Sequence, residues 1–275
     1  MILSVINKIM GLQVKTEEEL IKMRSSAALL SKVLGEVTKE IKIGKTGLEL
    51  DKIAFTMIKD HGATPSFLNY NGFPYTMCIS VNEAVVHGFP SDKPYKSTDI
   101  VSLDCGVFLN GYHADMAYTL AFPDVDESLL QLMRVTKKSL YLGIEKAVTN
   151  NRVGDISYAV QNYCEKENPY TCVKDLVGHG LGKNLHEEPQ VPNVGRRGDG
   201  KKLLTNLTIA IEPMVNLGVR EVYTADDNWT IVTRDGKPSA HFEHTICIKP
   251  NAPEILTTFD YIEAAIKQNS DLVFV

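Results

Sequence analysis

Asn110-Gly111, set between strand-like runs at residues 100–109 and 112–122, constrains the fold of this chain more than any other feature. Asn-Gly between two such runs selects a two-residue type I′ turn, whose central residues both need positive φ. The turn dictates the pairing, so Leu109 faces Tyr112 and Gly106 faces Asp115. Paired residues share a face of the sheet, and so do residues two apart on one strand. Asp104 therefore lies on the same face as Asp115, as a diagonal neighbour about 7–8 Å away between Cα atoms. A bulge between the two would reverse this, because a one-residue slip turns every side chain over. Two solvated aspartates, each paired with a lysine, are the plainer alternative. Val101, Leu103, Val107, Phe108 and Leu109 make the strand too apolar for a wholly wet face.

Three more ionisable side chains sit in apolar surroundings. His179 lies between glycines in Val177-Gly178-His179-Gly180-Leu181, and Glu212 ends Ile209-Ala210-Ile211-Glu212-Pro213. Glu243 lies in His241-Phe242-Glu243-His244-Thr245, where alternation puts His241, Glu243 and Thr245 on one face. The flanking glycines let the backbone at His179 approach a site closely. Pro213 breaks a ladder and fits a strand end at which Glu212 turns into a cleft. Buried charges of this kind are costly unless paired, and a pair of divalent cations is an economical partner for four carboxylates and one imidazole. An oxygen-rich set with one imidazole suits Mn, Fe, Co or Zn. Two such ions, roughly 3.5–4 Å apart, activate water for attack on an amide or ester carbonyl.

The remaining pattern alternates helices with strands. Thr16 with Glu19 and Thr46 with Glu49 are capping boxes, predicting helices over 17–40 and from 47 to about 60. A short strand follows at 77–81. Asp124 to Asp126 caps a helix from 127 to about 148, and Asp155 caps another through 167. Strands are expected at 170–176, 208–211, around 223, at 229–233 and at 241–248, with a last helix over 261–267. Both halves run helices first and then strands with carboxylates, which suggests a pseudo-duplicated α+β domain with its strands pooled in one antiparallel sheet.

Composition excludes several classes. A formal charge of −5 leaves no overall nucleic-acid footprint. Cys78, Cys105, Cys164, Cys172 and Cys247 are odd in number without CxxC spacing, which favours reduced thiols in a cytosolic protein over a zinc ribbon or disulfide framework. No apolar stretch approaches the roughly 20 residues a membrane span needs. Residues 1–10 lack the basic start and cleavage site of a signal peptide and read as a tail or short helix packed on the body. Residues 193–202, with Arg196, Arg197 and Lys201, read as a solvated basic loop, contact with an anionic partner being the alternative.

With these residues in place, the chain resembles the type I methionine aminopeptidases of peptidase family M24 over about residues 16–248. The resemblance rests on the run from Cys78 through Asn82-Glu83 to His87-Gly88, the Asp104/Asp115 hairpin, and Gly178-His179-Gly180-Leu181-Gly182. His186-Glu187-Glu188-Pro189, Ile211-Glu212-Pro213-Met214 and Phe242-Glu243-His244-Thr245 complete it. It implies the pita-bread fold, a pseudo-two-fold antiparallel sheet flanked by helices around a central dinuclear metal site. One catalytic domain over residues 1–275 is expected, with 1–12 as an N-terminal extension and 251–275 as a C-terminal tail. The implied activity removes the initiator methionine from nascent proteins when the next residue is small. By the same resemblance, Asp104 chelates one metal, His179 and Glu212 the other, and Asp115 and Glu243 bridge both. Glu212 is the implied general base, while His87 contacts the scissile amide nitrogen and His186 the substrate backbone. Tyr70, Phe73, Cys78, His87 and Trp229 are the implied walls of the methionine slot.

This chain departs from the family pattern around that slot. Phe67 stands where many relatives carry cysteine, Leu185 where an aromatic is common, and Ala114 where glycine often precedes the second aspartate. Pro74-Tyr75-Thr76 replaces the usual Pro-Lys-Ser. The implied partners are nascent N-termini, in transient proximity to the ribosome, with no nucleic-acid motif and no membrane; a cytoplasmic monomer is expected. The rival readings are another M24 enzyme, such as an X-Pro aminopeptidase or prolidase, and a metal-free binding scaffold.

Overall fold

The Asn-Gly hairpin forms in the expected register. In the computed structural model, which describes residues 11–275, Asn110 and Gly111 take φ of 55° and 86°. The reading of residues 1–10 as a tail or short helix lies outside the described residues. Strands β4 (Ile100–Leu109) and β5 (Tyr112–Ala121) pair without a bulge, Gly106 opposite Asp115 and Asp104 opposite Ala117. The other edge of β4 takes β1 (Thr64–Pro65) and β2 (Met77–Val81), with Cys78 opposite Asp104. Strand β3 (Ala84–Val86) follows β2.

Helices cover this sheet. Helix α1 (Glu17–Glu40) opens on the expected capping box: Glu19 N–H donates to Thr16 Oγ1 at 3.2 Å and Thr16 N–H to Glu19 Oε2 at 2.9 Å. Its buried Leu20, Met23, Ala27, Leu30, Leu34 and Val37 recur at helical spacing, and the helix lies against β4 and β5. Each such leucine is worth about 1.5–3 kcal/mol when fully buried. Helix α2 (Gly47–Asp60) opens on the second box, Thr46 with Glu49. Helix α3 (Glu127–Ile144), capped by Asp126, stops short of residue 148 because the chain turns off to pair with Lys249, Thr149 N–H donating to its carbonyl at 3.0 Å. Helix α4 (Val153–Glu165) starts earlier than expected: Asp155 is the third residue of the first turn, where its carboxylate accepts the N–H of Arg152 at 2.8 Å.

The second half contributes β6 (Thr171–Cys172), β7 (Val177–Gly180), β8 (Glu187–Pro192), β9 (Thr208–Ile211) and β10 (Met214–Asn216). Strands β11 (Val222–Thr224), β12 (Ile231–Thr233), β13 (Ser239–His241), β14 (His244–Cys247) and β15 (Glu254–Ile255) follow, then helix α5 (Asp260–Gln268). The expected strand at 241–248 is thus two strands, interrupted at Phe242-Glu243. Its partner is interrupted at Glu212-Pro213, so β9 pairs with β14 and β10 with β13. Both breaks fall together because Pro213 has no N–H to give and Glu243 N–H turns away to Ala117 O on β5, at 2.9 Å. The antiparallel strands consequently divide into four hydrogen-bonded sheets among the described residues, where one pooled sheet was expected.

The halves are sewn together along β5. Asp115 N–H donates to Thr245 Oγ1 at 2.9 Å, and that hydroxyl donates to Asp115 O at 2.7 Å. Two residues on, Ala117 O receives Glu243 N–H. Two further on, Thr119 Oγ1 donates to His241 O at 2.7 Å and accepts His241 N–H at 2.9 Å. Buried backbone groups need partners, and here threonine hydroxyls replace a regular ladder. Past residue 251 the chain adds β15 to the edge of β14 and packs α5 against α1. Lys137 Nζ there donates to Glu263 Oε1 at 2.7 Å and to Val275 O at 3.1 Å.

Candidate metal centre

All the residues singled out from the sequence line one cavity of about 560 Å³. Asp104 and Asp115 enter it from β4 and β5, as the hairpin parity requires, and His179 enters from β7. Glu212 and Glu243 enter from the two coincident breaks. Asp104, Asp115, His179 and Glu243 are buried, and the side chain of Glu212 is 13% exposed.

Gly178 and Gly180 bring β7 in close. A Cβ on Gly178 would strike the carbonyl of Ala210, and one on Gly180 that of Glu188. His179 Nδ1 lies 2.9 Å from Gly180 O. A carbonyl only accepts, so Nδ1 carries the hydrogen and Nε2 presents its lone pair. Nε2 is 3.6 Å from Glu212 Oε1 and 3.9 Å from Asp115 Oδ2. Burial first, and then the neighbouring His186, pull its pKa down to about 3, so the ring is neutral, the form that binds metal.

The carboxylates have too few partners of their own. Asp104 Oδ1 and Glu243 Oε1 are buried without a hydrogen bond, and no lysine or arginine pairs with any of the four among the described residues. Burial, then the charges of Asp115 and Glu212, push Asp104 well above the usual carboxylate range. Burial with Asp115, Glu212 and Asp104 does the same to Glu243, and burial with Asp115 to Glu212. Burial raises Asp115 to about 7. Mutual repulsion and missing solvent would both be relieved by a divalent cation. Asp115, His179 and Glu243 each place a ligand atom within 4.8 Å of the others. The donor set fits a divalent metal.

His87 follows β3 with φ of 58°, a left-handed conformation that non-glycine residues hold only when their surroundings impose it. Gly88, hydrogen-bonded to Ser80 Oγ and Ile79 N–H, supplies that constraint. Burial, then His186, lower His87 to about 4. His186 Nδ1 lies 2.8 Å from the hydroxyl of Tyr70, and its ring meets His179 edge-on at 4.2 Å between centroids.

An apolar slot adjoins the charged cluster. Phe73 and Trp229 meet edge to face at 5.3 Å, and Tyr70 and Cys78 complete the expected wall. Phe67 and Leu185 pack into the same cluster. Burial, then the charges of Asp104 and Asp115, drive the Cys78 thiol well above its usual range, so it acts as a small apolar wall. One residue went unassigned in the sequence: His241, with both ring nitrogens buried and unpartnered and Nε2 3.7 Å from Glu212 Oε2. Its alternation with Glu243 and Thr245 was the available signal. Gln190 and Met214 line the cavity; no sequence pattern marks Gln190, whereas Met214 closes the Ile211-Glu212-Pro213-Met214 run.

Residues 21–250 match the model of metallopeptidase family M24. A methionine aminopeptidase of Clostridium perfringens is 50% identical over 243 residues, covering 88% of this chain and 97% of that protein. The crystal structure of methionine aminopeptidase from Rickettsia prowazekii superposes with a TM-score of 0.88 at 38% identity, covering 90% of this chain and all of that one. A prolidase from Pyrococcus furiosus shares the fold at a TM-score of 0.73 and 21% identity, over 93% of this chain and 67% of its own.

Proposed function

Because the chain belongs to metallopeptidase family M24, we propose that it is a methionine aminopeptidase that removes the initiator methionine from nascent proteins when the second residue is small. The observation that carries this is the joint convergence of four carboxylates and one imidazole, drawn from both halves, beside an apolar slot in a single cavity. The likeness to prolidase extends only to the fold.

Asp104, Asp115, His179, Glu212 and Glu243 would together hold a pair of divalent ions, Asp104 on one side, His179 and Glu212 on the other, with Asp115 and Glu243 contributing to both. Four carboxylates match the charge of two divalent cations, of Mn, Fe, Co or Zn, and the two orphaned oxygens of Asp104 and Glu243 are supplied with partners. When bound, such a pair supplies Lewis acidity, which brings the pKa of a water towards neutrality and polarises a carbonyl. Glu212 accepts the proton of the attacking water and relays it. His87 contacts the scissile amide nitrogen and assists protonation of the leaving amine. Tyr70 O–H donating to His186 Nδ1 leaves Nε2–H free to donate to the substrate backbone and to the negative charge of the tetrahedral intermediate. The free α-amine sits on the Asp104 side, which restricts the enzyme to N-termini. Phe73, Trp229, Tyr70 and Cys78 enclose the methionine side chain, whose sulfur is well suited to aromatic edges. The nascent-chain substrate supports a cytoplasmic location near the ribosome, and the family resemblance supports a monomer.

The test is turnover of a Met-Gly-containing peptide together with metal analysis. Methionine release with two ions bound per chain is the expected result. Cleavage confined to X-Pro peptides would replace this reading with the rival enzyme, and no metal with no turnover would leave a scaffold.

A further inference from the structure

The turn that carries His186 is held from behind by the first described residues of the chain. Leu12 bridges to Glu188 and Val14 to Leu207, while Lys15 N–H donates to Asn206 O at 2.9 Å. This lays residues 11–15 alongside the turn. Lys15 Nζ then donates to Glu187 Oε2 at 2.6 Å and to Gln13 O at 2.8 Å. The two side chains are 4% and 1% exposed, and no other lysine or arginine ion pair among the described residues has both partners so deeply buried. Glu187 Oε1 accepts the N–H of Asn184 at 3.1 Å, closing the turn from within. At its start, Gly182 O accepts His113 N–H at 2.8 Å. A Cβ on Gly182 would collide with Lys15 Cε and lie 2.7 Å from Nζ, so the ammonium is seated directly on the turn's backbone. Glu187 and its neighbour His186 both line the cavity.

A buried ion pair adds little net stability over an apolar pair of the same size, since both charges lose their water. What it does supply is direction: a fixed ammonium and a carboxylate with both oxygens engaged. We propose that Lys15 and Glu187 are positioning residues, a clamp that sets His186 against the substrate; this rests on the reading of His186 given above. Through it the segment 11–15, remote in sequence from the site, governs the placement of a group that must meet developing charge. A shift of about 1 Å in such a group costs on the order of 100-fold in rate.

Three variants test the clamp: Lys15→Met, Glu187→Gln, and Lys15→Met combined with Glu187→Leu, which leaves no unpaired charge if the single changes prevent folding. The expected result is a fall in kcat on a Met-Gly peptide of about 10- to 100-fold, with KM and bound metal within twofold of the parent. The double variant recovers thermal stability but not kcat. Hydrogen exchange in metal-free protein speeds up over residues 182–190 in each variant, a readout independent of activity. Unchanged exchange over 182–190 overturns the clamp even if the parent chain proves not to release methionine. Unchanged kcat, or recovery of kcat with stability in the double variant, overturns it as well. Parent chain without turnover, by contrast, overturns the functional reading alone.

Discussion

At His179 a carbonyl 2.9 Å from Nδ1 sets the tautomer, two glycines set the approach, and burial keeps the ring neutral. His87 lines the same cavity and is likewise kept neutral by burial, but it has neither the carbonyl partner nor the pair of flanking glycines, and no carboxylate ion pair among the described residues. The two histidines should therefore respond differently to removal. Asp115→Ala and Glu243→Ala are each expected to abolish both metal occupancy and turnover. His87→Ala should keep its metal and lose about 10²- to 10⁴-fold in kcat, the usual worth of a general acid–base group. Elemental analysis beside steady-state kinetics separates the outcomes, and loss of metal from His87→Ala would break the role assignment.

Among the elements, the decisive event is a shared interruption. Strands β9 and β14 would continue as β10 and β13 were it not for Glu212-Pro213 and Phe242-Glu243. The gap frees both glutamates from the ladder and lets Glu243 N–H reach β5. Thr245 holds the next contact, with one hydroxyl serving both backbone groups of Asp115. Thr245→Val keeps the shape and deletes both bonds, leaving Asp115 N–H buried and unpaired. The expected cost is about 1–3 kcal/mol per orphaned group, or about 2–4 °C in Tm per kcal/mol. Calorimetry of the metal-free variant measures it, and an unchanged Tm would show that the seam contributes nothing to stability.

For the molecule as a whole, the carboxylate cluster joins two halves and opposes their joining until cations arrive. The pKa values of Asp104, Glu212 and Glu243 stand well above normal when metal-free, and that of Asp115 rises to about 7. Acids raised in this way keep their protons in the folded state while the unfolded chain releases them near pH 4. Metal-free stability is therefore fully present below about pH 4 as far as these groups are concerned, and it is lost as pH rises through about 7 and beyond. Added divalent metal binds the ionised form, so its stabilising effect should grow over the same interval. Thermal melts with chelator and with Mn²⁺ at pH 5 and pH 8 check this; an equal gain in Tm at both would contradict it.

Local rules alone determined much of this protein. Capping boxes placed α1 and α2, and the two-residue turn placed Asp104 beside Asp115, because both depend on residues within a few positions of each other. Glycines around His179 and proline after Glu212 marked those proposed ligands for the same reason. Where a strand ends was legible when a proline or the Asn-Gly turn ended it. The break at Phe242-Glu243, the early stop of α3 and the seating of Lys15 on Glu187 all arise from partners more than 25 positions away in the sequence. Such pairings depend on which buried N–H and charge finds a partner once the halves are packed, and only the tertiary structure decides that.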